Sequence, residues 1–140
     1  ENLTTALQHG VIFGSAQSGK ISAASRADFA AAAVVALTQD KARHIAYELA
    51  GDHSFTMAAL AQLVTEISGK PVAYKNLPPN DYAKALTDFG LPREVAQMLA
   101  DSDQWAADGA LEDNGGALQR LIGRATTPLR DLVKHTLGKK

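Results

Sequence analysis

Gly14-Ser-Ala-Gln-Ser-Gly19-Lys20 has the spacing of a phosphate-binding loop, G-x-x-x-x-G-K, and Val11-Ile12-Phe13 ahead of it supplies the strand such a loop needs. That chemistry has two further requirements. A Ser or Thr must follow the lysine to bring a hydroxyl to Mg²⁺, and Ile21 stands there instead. A helix must also open at the lysine, so that its backbone N–H groups aim at the phosphates. The next good helix start is Ser25, with Asp28 three residues on, a capping box with Asp in place of Glu. The stretch reads as a Gly/Ser turn joining two short strands.

The remaining reactive side chains are dispersed. His9, His44, His53 and His135 lack the i, i+4 spacing that sets two ligands on one helical face, and zinc needs three or four converging ligands. They read as solvated turn histidines, with His44 and His53 flanking a strand within reach of a carboxylate such as Asp52. Asp101, Asp103, Asp108, Glu112 and Asp113 surround Trp105 without the ligand spacing of a calcium loop. A solvated helix face and loop is expected there. Trp105 either caps the core from outside or lines a cleft, and packing is the favoured reading. No G-x-S-x-G elbow occurs. Tyr74 is followed directly by Lys75, and Tyr82 with Lys84 also misses the Y-x-x-x-K spacing of reductases. There is no G-x-G-x-x-G fingerprint. By residue types alone, no catalytic constellation is present.

Composition narrows the partners. A chain of 140 residues with a formal charge of −1 gives no reason to expect nucleic acid or an anionic membrane. It has no cysteine, hence no disulfide, thiolate metal site or cysteine nucleophile, which fits a cytoplasmic location. No apolar run approaches the roughly 18 residues of a membrane span, and no signal peptide is visible. The opening Glu1-Asn2-Leu3-Thr4, without Met, is expected to be a start inside a longer protein.

The elements that must position these residues come from periodicity and capping. Asn2 is the expected cap of a short helix closed by Gly10. Val11–Phe13 and Lys20–Ala24 are expected strands. A long helix from Arg26 to about Thr38 carries Phe29, Ala33, Val34 and Leu37 on one stripe, with Ala30, Ala31, Ala32 and Ala36 elsewhere. Such an apolar helix needs cover on more than one side, more than the rest of the chain obviously supplies. His44–Leu49 alternates and predicts a strand. Thr56 caps a helix bearing Leu60, Leu63, Val64 and Ile67 to Gly69, with Phe55 as a hydrophobic staple. Pro71–Lys75 is a further strand. From Leu77 the pattern is helical: Pro79 or Asn80 to Phe89, then from Pro92 with Val95, Met98 and Leu99 inward, then Leu118–Ile122, then from Pro128. The expected organisation is one region, residues 1–140, with an α/β part (1–76) and a helical part (77–140).

Several segments taken in order resemble one family. They are Glu1-Asn2, His9-Gly-Val-Ile-Phe-Gly, Gly19-Lys-Ile, Ser25-Arg-Ala-Asp-Phe-Ala-Ala-Ala, Tyr47-Glu-Leu-Ala-Gly51, Ser68-Gly-Lys-Pro, Gly90-Leu-Pro, Met98-Leu-Ala-Asp-Ser-Asp103 and Leu121-Ile-Gly-Arg-x-Thr-Thr-Pro128. Their order and spacing resemble the NmrA-like branch of atypical short-chain dehydrogenase/reductases, nearest the bacterial type-2 NAD(P)H:quinone oxidoreductases. Triphenylmethane reductases are near relatives. The resemblance implies an α/β fold: the C-terminal, substrate-side portion of a Rossmann-like reductase, short strands plus a helical lobe. The N-terminal dinucleotide-binding half would be absent. It implies NADP or NAD as cofactor of the full-length protein and none for this portion alone. Hydride would pass directly to a quinone or similar small aromatic substrate, without the Tyr/Lys pair. Expected partners are the N-terminal Rossmann half and, through open strand edges, a second copy as a homodimer. Glu1 and Asn2 would lie near the cleft floor, and Ser25 and Arg26 along its rim. Two other readings stay open: a dinucleotide-binding redox sensor without catalysis, and a stand-alone helical interaction module.

Overall fold

The computed structural model describes residues 3–39 and 46–138. Helix α1 (Leu3–His9) stops at Gly10, whose φ of +67° is open to glycine at little cost. Its expected cap, Asn2, lies outside the described residues. Strand β1 (Val11–Gly14) follows, then the glycine turn and β2 (Lys20–Ile21). The turn does not make a hairpin of the two. β1 pairs in parallel with β4 (Ala73–Asn76), Val11 opposite Ala73 and Gly14 opposite Asn76. β2 pairs antiparallel with β3 (Phe55–Thr56).

Helix α2 (Arg26–Thr38) starts where the capping box placed it, with the Ser25 side chain accepting from the Asp28 N–H. Helix α3 (Met57–Ser68) is capped by Thr56, which accepts from the Ala59 N–H, and ends on left-handed Gly69. Its period-3.6 stripe buries Leu60, Ala61 and Val64. Beyond β4 the described elements are helices: α4 (Pro79–Asp88), α5 (Arg93–Ala107), α6 (Ala117–Ile122) and α7 (Leu129–Thr136). The prolines at 78, 92 and 128 stand immediately before three of them, where a missing N–H costs nothing.

The main core gathers Leu3, Ile12, Met57, Leu60, Val64, Val72 and Val133, so α1, β1, α3 and α7 enclose it. A smaller contact joins fully buried Ala32 of α2 to the α6 side, where Leu118 is also fully buried.

Three expectations need correction. Lys20–Ala24 contracts to a two-residue strand, because β3 offers only Phe55 and Thr56 to pair with. The described part of the His44–Leu49 strand, from Ala46, has no strand partner among the described residues and no regular secondary structure; His44 and Ile45 lie outside the described residues. Alternation sets which side chains share a face, but a strand also needs a ladder. In α5 the inward residues are Ala96, Ala100 and Ala106, while Val95 and Met98 are exposed. α4 and α5 pack closely against each other, and small side chains permit that approach.

Candidate functional site

In open α/β sheets, ligands gather beyond the carboxyl ends of parallel strands. Here those ends are Gly14 and Asn76, and the glycine turn leaves from the first of them. Four of the turn's amides are already engaged. The Ser15 N–H donates to Asp103 Oδ2 at 2.6 Å, Ala16 N–H to the Tyr74 hydroxyl at 3.1 Å and Gln17 N–H to Asn76 Oδ1 at 2.8 Å. The Gly19 N–H closes on the Ala16 carbonyl at 2.7 Å. Both glycines of the motif serve packing. A Cβ at Gly14 would lie 2.8 Å from Tyr74 Cε2, and one at Gly19 would collide with the Ala106 carbonyl of α5. Lys20 pairs with Glu112 at 3.2 Å. The α5 backbone therefore fills the space a phosphate would need, and the turn does not fit a dinucleotide pyrophosphate.

Holding this turn fixes α5. Asp103 accepts from Ser15, and Gln104 Nε2 donates to the Ser15 carbonyl and hydroxyl, each at 2.9 Å. Burial pushes the Asp103 carboxyl up, against the Ser15 and Ala16 N–H groups that stabilise its charge. The solvated acidic face expected here does not include this half-buried residue. Glu112 is also engaged, accepting from Ser54 and Lys20, and those bonds hold its carboxyl below the usual range.

Turned the other way on α5, Met98 and Trp105 line a cleft of about 790 Å³ with Leu111. Arg93, Glu94, Gln97, Asp101 and Ser102 supply its polar rim. Trp105 is 63% exposed, so the cleft-lining alternative, not core packing, describes it. The far wall is pinned. Ser22 N–H donates to the Leu111 carbonyl at 2.9 Å, and Asp113 N–H donates to the Ser22 hydroxyl at 3.0 Å. An indole, a thioether and an isobutyl group can stack and enclose a flat apolar molecule. Motif inspection missed this site because its signal was only a lone Trp i+7 from a Met on an exposed helix face.

Ser25 and Arg26 sit three and four residues beyond Ser22, at the mouth of α2, and do not line this cleft. Arg26 is exposed. The Ser25 hydroxyl donates to Asp28 Oδ2 at 2.7 Å. Asp28 is fully buried and also takes the Thr127 N–H at 2.9 Å and an ion pair from Arg124 at 2.7 Å. Glu1 and Asn2 lie outside the described residues. Asp52 meets Thr126, not His53: its Oδ2 accepts from the Thr126 N–H, and its own N–H donates to the Thr126 hydroxyl. Among the described residues no three His, Cys, Asp or Glu side chains form a metal-holding group. No described helix is long and apolar enough to cross a membrane.

A short parallel pair, a pinned turn and a helical lobe with an open apolar cleft define a class. The fold is that of the C-terminal, substrate-side portion of Rossmann-like reductases. More particularly, the chain is similar to the C-terminal part of quinone oxidoreductase 2 of Escherichia coli (strain K12), with 48% identity over 130 residues, 93% of this chain and 46% of the relative. The crystal structure of that NADPH-dependent quinone oxidoreductase in complex with NADPH superposes with a TM-score of 0.93, at 45% identity over 98% of this chain and 50% of that one. Triphenylmethane reductase of Citrobacter sp., complexed with NADP(H), gives a TM-score of 0.90 at 29% identity over 96% and 47%. The chain thus spans about half the length of the relatives it matches. No protein-family model matches it.

Proposed function

We propose that this chain is the substrate-side portion of an NADPH-dependent quinone reductase that works in the cytoplasm. The observation that carries the reading is the 48% identity to quinone oxidoreductase 2 across 93% of the chain. Dinucleotide phosphates would be held by residues beyond those described here, since the glycine turn is filled by α5. Bound NADPH would supply the hydride. The work of this chain is to receive a flat aromatic acceptor, orient it and exclude water. The Trp105–Met98–Leu111 surface is suited to stacking and desolvating such a molecule. On the strength of the resemblance, Glu1 and Asn2 are proposed near the floor of the full-length protein's cofactor cleft, and Ser25 and Arg26 along its rim, apart from the Trp105 surface.

The test is an NADPH-oxidation assay with a soluble benzoquinone, using the protein expressed from its complete gene. NADPH consumption that depends on the quinone supports the reading. NADPH binding without oxidation would identify a sensor, and neither binding nor oxidation would leave an interaction module. In the active protein, Trp105→Ala is expected to raise the quinone KM about tenfold with little change in kcat, as loss of a stacking contact of roughly 1.4 kcal/mol requires. An unchanged KM would remove Trp105 from the substrate wall.

A further inference from the structure

Between Arg93 and Arg120 the chain carries six carboxylates, Glu94, Asp101, Asp103, Asp108, Glu112 and Asp113, and no Lys, Arg or His. Half of them are engaged. Asp103 accepts the Ser15 N–H, Glu112 pairs with Lys20, and Asp113 accepts the Gly115 N–H. Glu94, Asp101 and Asp108 are exposed and form no ion pair with a described residue. They fall at every seventh position along α5 and its C-terminal cap, so they share a face with Met98 and Trp105. Asp101 stands one turn before Trp105, a spacing that sets Cβ atoms about 5–6 Å apart, and both line the cleft. It accepts a hydrogen bond from Gln97 Nε2 at 2.9 Å. Arg93, the basic group on the rim, is at the opposite end of α5, about 18 Å from Trp105 along the helix.

An exposed indole face attracts a cation through its ring quadrupole. A cleft with apolar walls and an excess of one sign of charge concentrates the opposite charge. Among the described residues these carboxylates do not converge as a metal-holding group, so the complementary charge is one spread over an organic body. We infer that the Trp105 cleft selects a flat aromatic cation, such as an N-alkylated heteroaromatic ring, over neutral or anionic rings of the same shape. The ring stacks on Trp105 and Met98, and its positive nitrogen faces Asp101. Asp101 is then the residue that determines charge specificity, with Glu94 and Asp108 adding to the field from either end of the helix face. The preference for positive charge stands on the cleft itself, and only the occupant's role as substrate rests on the reductase reading.

The test titrates the protein expressed from its complete gene with 1-methylquinolinium, quinoline and naphthalene-2-carboxylate at pH 7, by calorimetry. The cation should bind about tenfold tighter than either of the others, and its affinity should fall severalfold as salt rises from about 0.01 to about 1 M. Asp101→Asn keeps an oxygen for Gln97 and should weaken the cation about fivefold while leaving quinoline unchanged. Trp105→Leu keeps apolar cover but removes the ring face, and should shrink the cation's advantage over quinoline to about threefold or less. Equal affinity for the cation and quinoline would overturn the inference. So would tighter binding of the naphthoate, an undiminished preference in Asp101→Asn, or no binding of any of the three at millimolar concentration. Cation selectivity in a protein that does not oxidise NADPH with quinone would sink the reductase reading and leave the inference standing. Quinone-dependent oxidation without cation selectivity would do the reverse.

Discussion

Asp28 and Asp103 are both withdrawn from water, and their surroundings drive them in opposite directions. Burial alone would push the Asp28 carboxyl up, but the Thr127 N–H, the Ser25 hydroxyl and Arg124 outweigh it and hold it well below the usual carboxylate range. A depressed native value means its stabilisation is complete above the unfolded value near 3.8 and drains away as pH falls below it. Asp28→Asn should therefore cost about 2 kcal/mol in urea unfolding at pH 7, with the gap to the parent chain narrowing below pH 4. Asp103 is raised, so the folded chain takes its proton before the unfolded chain does. Its contribution weakens as pH rises from about 3.8 through the native value. Asp103→Asn keeps an acceptor for the Ser15 N–H and should leave stability at pH 7 within about 0.5 kcal/mol. Urea midpoints across pH 3–7 distinguish the two. Sequence inspection singled out Asp28 only as a cap partner, since Arg124 and Thr127 lie about a hundred residues away.

At the scale of elements, capping signals were reliable because they act within four residues. Ser25 and Thr56 cap α2 and α3 as their types predict, and replacing Thr56 with Ala should cost about 1 kcal/mol in thermal or urea unfolding. The glycine turn was legible as a turn, but not as the seat of α5. Gly19→Ala drives a methyl into the Ala106 carbonyl, backbone against backbone, and should cost about 2 kcal/mol. Because α5 carries Trp105, the same substitution should shift the fluorescence of the single tryptophan. Periodicity also misjudged the inner face of α5. It favoured the bulky Val95 and Met98, whereas the close approach of α4 selects Ala96 and Ala100.

The whole molecule leaves Phe29, Val34, Leu37, Phe89, Met98 and Trp105 exposed, a large apolar surface for a body of this size. Without a partner, the chain should associate with itself as concentration rises. Light scattering should show the mean mass climbing for the parent chain and staying monomeric for Val34→Glu with Leu37→Glu. A parent chain that remains monomeric throughout would contradict this expectation. The apolar face that α2 exposes was visible in its composition, which places no charge between Asp28 and Asp40.

The sequence by itself determined what local rules govern: where most helices begin and end, the turn at Gly14–Gly19, and the failure of that turn's motif at Ile21. The ordered segments from Glu1-Asn2 to Thr127-Pro128 also determined the likeness to the C-terminal part of quinone oxidoreductase 2. Only tertiary structure decided that Asp103 and Tyr74 consume the turn's amides, that Trp105 opens onto a cleft, and that Ala46–Ala50 finds no ladder among the described residues. These outcomes depend on groups tens of residues apart meeting in space. Periodicity carries which side chains share a face, but not what that face will meet.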